Sequence, residues 1–142
     1  MSSKGHEHHH SLTAKLDGRS LYSVEINLDE RHTLAADEPV ALGGQDLGPS
    51  PYESLLAALA SCTLMTVKMY AQRKEWPLTG ASVRLTHRKL PDPSLPLQPD
   101  LITKHLELEG DLSPEQRTRL LEISERCPVN LSLKNGIRVQ PI

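Results

Sequence analysis

The chain has 142 residues, 37% of them hydrophobic and 24% charged, with two Cys, one Trp, three Tyr and no Phe. That is the length of one domain, able to bury about two-thirds of its unfolded surface. A formal charge of −2, from 16 basic and 18 acidic residues, argues against nucleic acid or an anionic membrane as partner, and the few aromatics argue against base stacking.

Residues 1–11 are polar and hold His6, His8, His9 and His10, four of the seven histidines. Imidazoles can ligate metals, but the cluster reads as a tag remnant or disordered tail outside a single domain over 12–142. No apolar signal-like run follows, and no stretch approaches the roughly 18 apolar residues that span a bilayer. A cytoplasmic location is therefore expected.

Thr13 to Leu16 and Leu21 to Leu28 read as strands of an N-terminal β-meander, turning at Asp17-Gly18-Arg19-Ser20. Ala35 to Pro51 is dense in Gly, Pro and Asp and reads as a loop across one end of that sheet. Ser50-Pro51-Tyr52-Glu53 then opens a helix, with Ser50 as N-cap, Pro51 at the first position and Glu53 completing a capping box. To about Arg73, Leu55, Leu59, Cys62, Thr66 and Met69 recur at helical spacing, which predicts a central buried helix with Cys62 facing inward. Trp76-Pro77 and Gly80 end it.

Ser82 to Leu90 reads as a strand with Val83, Leu85 and His87 on one face. Four prolines exclude regular structure from Leu90 to Asp100, leaving a mobile flap or a wrapped loop. Ile102 to Glu109 resumes a strand that Gly110 ends. Ser113-Pro114-Glu115-Gln116 caps a second helix, with Leu120, Ile123 and Cys127 inward, and Pro128 marks its end. A closing strand over Gly136 to Val139 follows the Lys134-Asn135-Gly136 turn. The order predicts an α+β fold with antiparallel β-sheets packed on two main helices.

His32, His87, His105, Glu109, Arg117 and Arg119 read as solvated or surface residues, and Tyr70 and Trp76 as cover for the end of the first helix.

The cysteines, 65 residues apart and without a CxxC, form neither a four-ligand zinc site nor a secreted disulfide framework. Singly, each is more often a small core hydrophobe than a reactive group. As a pair on the inward faces of two helices they are able to converge, and in a reducing compartment such a pair is more often redox-active than structural. A converging pair permits peroxide reduction: one thiolate becomes a sulfenic acid, the second thiol condenses with it, and an external thiol or dithiol restores both. The open alternatives are a module binding a small apolar or acyl ligand, in which the cysteines merely pack, and a redox sensor without efficient turnover.

Gly48-Pro49-Ser50-Pro51-Tyr52-Glu53-Ser54-Leu55-Leu56-Ala57-Ala58-Leu59-Ala60-Ser61-Cys62-Thr63, together with Cys127-Pro128-Val129, resembles the OsmC/Ohr family. The resemblance implies an intertwined homodimer and thiol peroxidase activity on organic hydroperoxides, with no cofactor or metal. It makes Cys62 the peroxidatic and Cys127 the resolving cysteine. It also implies a Glu at the start of the first helix, for which Glu53 is the candidate, and an arginine from the N-terminal half. Well-studied members carry that Glu where this chain has Tyr52, one residue earlier and about 100° around the helix. Arg19 and Arg31 are both available as the arginine. Many relatives carry His where this chain has Asn130, which cannot take up a proton near neutral pH.

Overall fold

The structure, a computed structural model, describes residues 9–142, so the expected tail up to His8 lies outside the described residues. The described residues form two compact units, one up to Ser54 and the other Leu55–Ile142.

In the first unit, β1 (Thr13–Leu16), β2 (Val24–Leu28) and β3 (His32–Ala36) form an antiparallel sheet in that order. Register runs from Thr13 opposite Asn27 and from Leu28 opposite His32. The meander matches expectation, but its first turn is wider than a two-residue hairpin. Asp17 organises it, accepting from the Arg19 N–H at 3.0 Å and from the Ser23 hydroxyl. β2 consequently starts at Val24, and Leu21 and Tyr22 remain exposed. Ala35 and Ala36, expected in the loop, belong to β3. The β2–β3 turn places Asp29 and Glu30 at φ 51° and 60°, the left-handed pair that a tight hairpin turn requires. No Gly marks it, but Asn27 Oδ1 accepts the Glu30 N–H at 2.8 Å.

The remaining loop is tightly built. A 3-10 turn at Val40–Leu42 ends on Gly43 in the left-handed region, and a Cβ at Gly44 would lie 1.9 Å from the Glu38 carbonyl oxygen.

The helix α1 (Pro51–Arg73) begins as expected. Glu53 accepts from the Ser50 N–H at 3.0 Å, and Ser50 Oγ accepts from the Glu53 N–H at 3.4 Å. Its buried ridge, however, is Leu59, Thr63, Val67 and Ala71, one position round from the expected stripe. Met69 is 62% exposed and Cys62 sits on the flank, half-buried. Alanines around Cys62 blur the periodicity, because small apolar residues fit either face. At 23 residues α1 is also long and apolar enough to cross a membrane by length and composition, contrary to the sequence expectation. Its ridge is nevertheless committed to a protein core.

In the second unit β4 (Leu78–Lys89) pairs antiparallel with β5 (Asp100–Gly110). Ala81, Val83, Leu85 and His87 are half-buried, while Ser82, Arg84, Thr86 and Arg88 are exposed. β4 starts four residues earlier than expected, with Leu78 buried in the core. The connection over 90–99 is wrapped on itself: the Leu90 N–H donates to the Pro99 carbonyl, and the Gln98 side chain bonds the Asp92 backbone at both ends. α2 (Pro114–Ser124) carries the expected capping box. Val67, Ala71, Leu78, Leu112 and Leu120 form the core, with Tyr70, Trp76, Leu106 and Leu108 packed against it.

The chain end departs from expectation. Pro128 starts a further helix, α3 (Pro128–Asn135), instead of closing α2, and Lys134 and Asn135 lie in it. Gly136 to Ile142 is exposed and forms no strand among the described residues. Val139 is 93% exposed, and no strand among the described residues pairs with it. The class is α+β with antiparallel sheets, as predicted.

Candidate active site

Cys62 lies in the middle of α1, and Cys127 lies three residues beyond α2, at the N-cap of α3. Neither is in a disulfide; Cys62 is half-buried and Cys127 has no solvent exposure. The α2–α3 corner brings them together. α2 ends at Ser124 because Glu125 and Arg126 bond back only to Glu122 and Ile123, and Pro128 holds Cys127 extended.

The corner is braced from several sides. The Asn130 amide donates to the Glu125 carbonyl at 2.7 Å, and Lys104 from β5 reaches the Glu125 carboxylate at 2.9 Å. Asn130 is therefore a structural strut here, where a histidine would be a titratable group.

Cys127 Sγ accepts the Asn130 backbone N–H at 3.3 Å, as an N-cap side chain does. Thr63 Oγ1, on the buried ridge of α1, is 3.9 Å from the same sulfur and donates to the Leu59 carbonyl at 2.8 Å. Burial pushes the Cys127 thiol pKa up, and the neighbouring Cys62 thiol adds to the rise. The Asn130 N–H and the Thr63 hydroxyl pull the other way, and burial prevails. A threonine inside an apolar helix ridge has no signature of its own, so the place of Thr63 beside Cys127 is not legible in the sequence.

Glu53 is exposed and engaged by its cap; the Ser50 N–H and hydroxyl hold its carboxyl below the ordinary value. Arg19 pairs with Asp17 at 3.3 Å, and Arg31 is exposed. Of the residues expected at the surface, Arg119 does form an exposed ion pair, with Glu122 at 3.0 Å, while Arg117 and His87 are partly covered. Arg117 donates to the Leu108 and Gly110 carbonyls, both at 2.8 Å, and Arg119 donates to the Tyr70 hydroxyl at 3.1 Å. The His87 ring is largely covered and meets Asp100 at 2.7 Å.

The family profile for OsmC-like protein matches residues 43–141, a span that contains both cysteines and Glu53. The chain belongs to the OsmC-like protein family. Solved structures with the OsmC-like fold cover nearly the whole chain. An OsmC-like protein from Mycoplasma pneumoniae superposes with a TM-score of 0.76 at 23% identity, over 90% of this chain and 89% of that one. An organic hydroperoxide resistance protein OsmC from Legionella pneumophila gives 0.69 at 18% identity, covering 94% and 95%. The organic hydroperoxide resistance protein OhrB of Bacillus subtilis gives 0.65 at 19%, covering 94% and 96%. No curated protein matches the OsmC-like chain.

Proposed function

We propose that this OsmC-like protein is a thiol-dependent peroxidase that reduces organic hydroperoxides in the cytoplasm. The observation that carries the reading is the meeting of a half-exposed thiol, Cys62, with a buried one, Cys127, inside this fold. The Cys62 thiolate attacks the distal peroxide oxygen. The O–O bond breaks, Cys62 becomes a sulfenic acid, and the alkoxide leaves and takes up a proton. Cys127 then attacks the sulfenic sulfur, forming the Cys62–Cys127 disulfide and releasing water. An external thiol or dithiol reduces that bridge by exchange.

Glu53 is kept ionised by its cap, the charge state that a partner for an activating arginine needs. No metal or cofactor takes part in this scheme. The working form is a homodimer, a reading supported by the apolar surface that α1 leaves exposed at Met65 and Met69. The pocket beside α1 lined by Leu64, Lys68, Leu78, Thr79, Gly80 and Ala81 is about 210 Å³ and includes neither cysteine.

Peroxide consumption with an excess of dithiol tests the proposal. Cys62→Ser should abolish turnover of an alkyl hydroperoxide, and Cys127→Ser, given peroxide without dithiol, should consume one equivalent and then over-oxidise at Cys62. Unchanged turnover in Cys62→Ser would end this reading.

A further inference from the structure

The disulfide proposed above joins two sulfurs in unequal surroundings. Cys62 keeps partial exposure in the single chain, whereas Cys127 has none. In thiol exchange the incoming thiolate takes the sulfur it can reach, and the other sulfur must leave with the electron pair. A buried sulfur leaves poorly, because desolvation penalises its anion. It is also a poor nucleophile for the same reason, since it attacks only as the thiolate.

Two donors face this sulfur. The Asn130 N–H is 3.3 Å from Cys127 Sγ, at the start of α3, and Thr63 Oγ1 approaches from α1 at 3.9 Å. With Cys127 protonated, the single Thr63 hydroxyl hydrogen satisfies the Leu59 carbonyl at 2.8 Å. When the sulfur becomes anionic, rotation about the C–O bond turns that hydrogen toward it. Both donors belong to elements that hold them in place, so little reorganisation is needed as charge develops.

We propose that Thr63 and the Asn130 backbone N–H form an anion cradle for Cys127, making it the obligatory leaving group when an external dithiol attacks the disulfide at Cys62. In that step the Cys62–Cys127 S–S bond breaks, a mixed disulfide forms between the reductant and Cys62, and the electron pair goes to Cys127. The second thiolate of the dithiol then attacks its own sulfur in the mixed disulfide, releasing Cys62 as thiolate and the reductant as a disulfide. The same cradle serves the forward direction by stabilising the Cys127 thiolate that attacks the sulfenic acid. Thr63 thus acts on a reacting sulfur without meeting the peroxide.

The inference rests on the peroxidase reading for its biological use, but its test does not need peroxide. The protein is oxidised with diamide, treated briefly with a monothiol, acid-quenched and mapped by mass spectrometry. The monothiol should be found on Cys62, with Cys127 free; adducts on Cys127 would overturn the proposal. In a Cys62→Ser background, thiolate absorbance titrates Cys127 alone. Thr63→Val should raise that titration midpoint, and Thr63→Ser, which keeps the hydroxyl, should restore it. In single turnover, Thr63→Val should slow disulfide formation by about three- to tenfold while leaving sulfenic acid formation unchanged. An unmoved midpoint in Thr63→Val removes Thr63 from the cradle and sinks the proposal, even if the mapping in the parent protein favours Cys62. If Cys62→Ser retains peroxide turnover while mapping and titration come out as expected, the peroxidase reading falls and the cradle stands. If diamide forms no Cys62–Cys127 bridge, both fall.

Discussion

The Asp37 carboxylate collects four donors from separate points of the first unit: the Ser20 hydroxyl and the backbone N–H groups of Glu38, Gln45 and Leu47. Its residue is only 2% exposed, and burial works to raise the carboxyl pKa. The Leu47, Glu38, Ser20 and Gln45 donors outweigh that and hold it below the ordinary 3.8. A carboxyl lowered on folding stabilises the native state fully above its unfolded pKa and loses that contribution as pH falls through the folded value. Asp37→Asn replaces an acceptor oxygen by an NH2 that faces backbone donors. Thermal melts should show the variant less stable than the parent at pH 7, with the gap closing toward pH 2; a constant gap would contradict the linkage. Cys127 is the counterpart in the second unit. There too a buried group that ionises is met by preplaced donors, but burial keeps the upper hand and the thiol stays protonated at rest.

At the scale of elements, α2 is held by its ends more than by its surface. Ser113 Oγ accepts the Gln116 N–H at 3.1 Å, and Gln116 Oε1 accepts the Ser113 N–H at 2.9 Å. Arg117 ties the first turns of α2 to the end of β5 through the Leu108 and Gly110 carbonyls. Leu120, with no exposure, inserts into the core below. Ser113→Ala should cost about 1 kcal/mol of stability, read as a lower midpoint in urea with an unchanged slope. A loss near zero would mean that Arg117 and Leu120 define the helix start without the cap. The far end of α2 matters more for chemistry, because where it stops decides where Cys127 falls. The capping signals at Ser113 and Pro114 were readable from residue types. The role of Cys127 as the cap of α3 was not, since cysteine is an unusual N-cap and Pro128 serves equally as a helix stop or a first helical residue.

For the whole molecule, the single chain leaves α1 incompletely covered. Met65 and Met69, one turn apart, are 59% and 62% exposed, although the helix belongs to a fold in which it is a core element. Neighbouring apolar side chains on a helix face offer a surface that a partner can bury. A second copy of the chain is the occupant proposed above. Sedimentation should find a particle of twice the 15.7 kDa chain mass, and Met69→Lys should shift it toward the monomer without unfolding it. A monomeric parent at micromolar concentration would contradict the dimer. Ile137 and Val139 are exposed too, in a strand pattern that pairs with no strand among the described residues.

Residue types and spacing alone determined the α+β class, both long capped helices, the hairpin strands and the pair of thiols, because caps, prolines and alternation are local signals. They also carried the family resemblance. Which face of α1 is buried was a tertiary decision, since alanines and one serine around Cys62 permit several ridges and only packing against Leu78 and Leu120 selects one. The tertiary structure alone also paired Thr63 with Cys127, 64 residues away. It left Cys127 without exposure and Cys62 with some in the single chain, a difference set by the neighbours each thiol meets after folding.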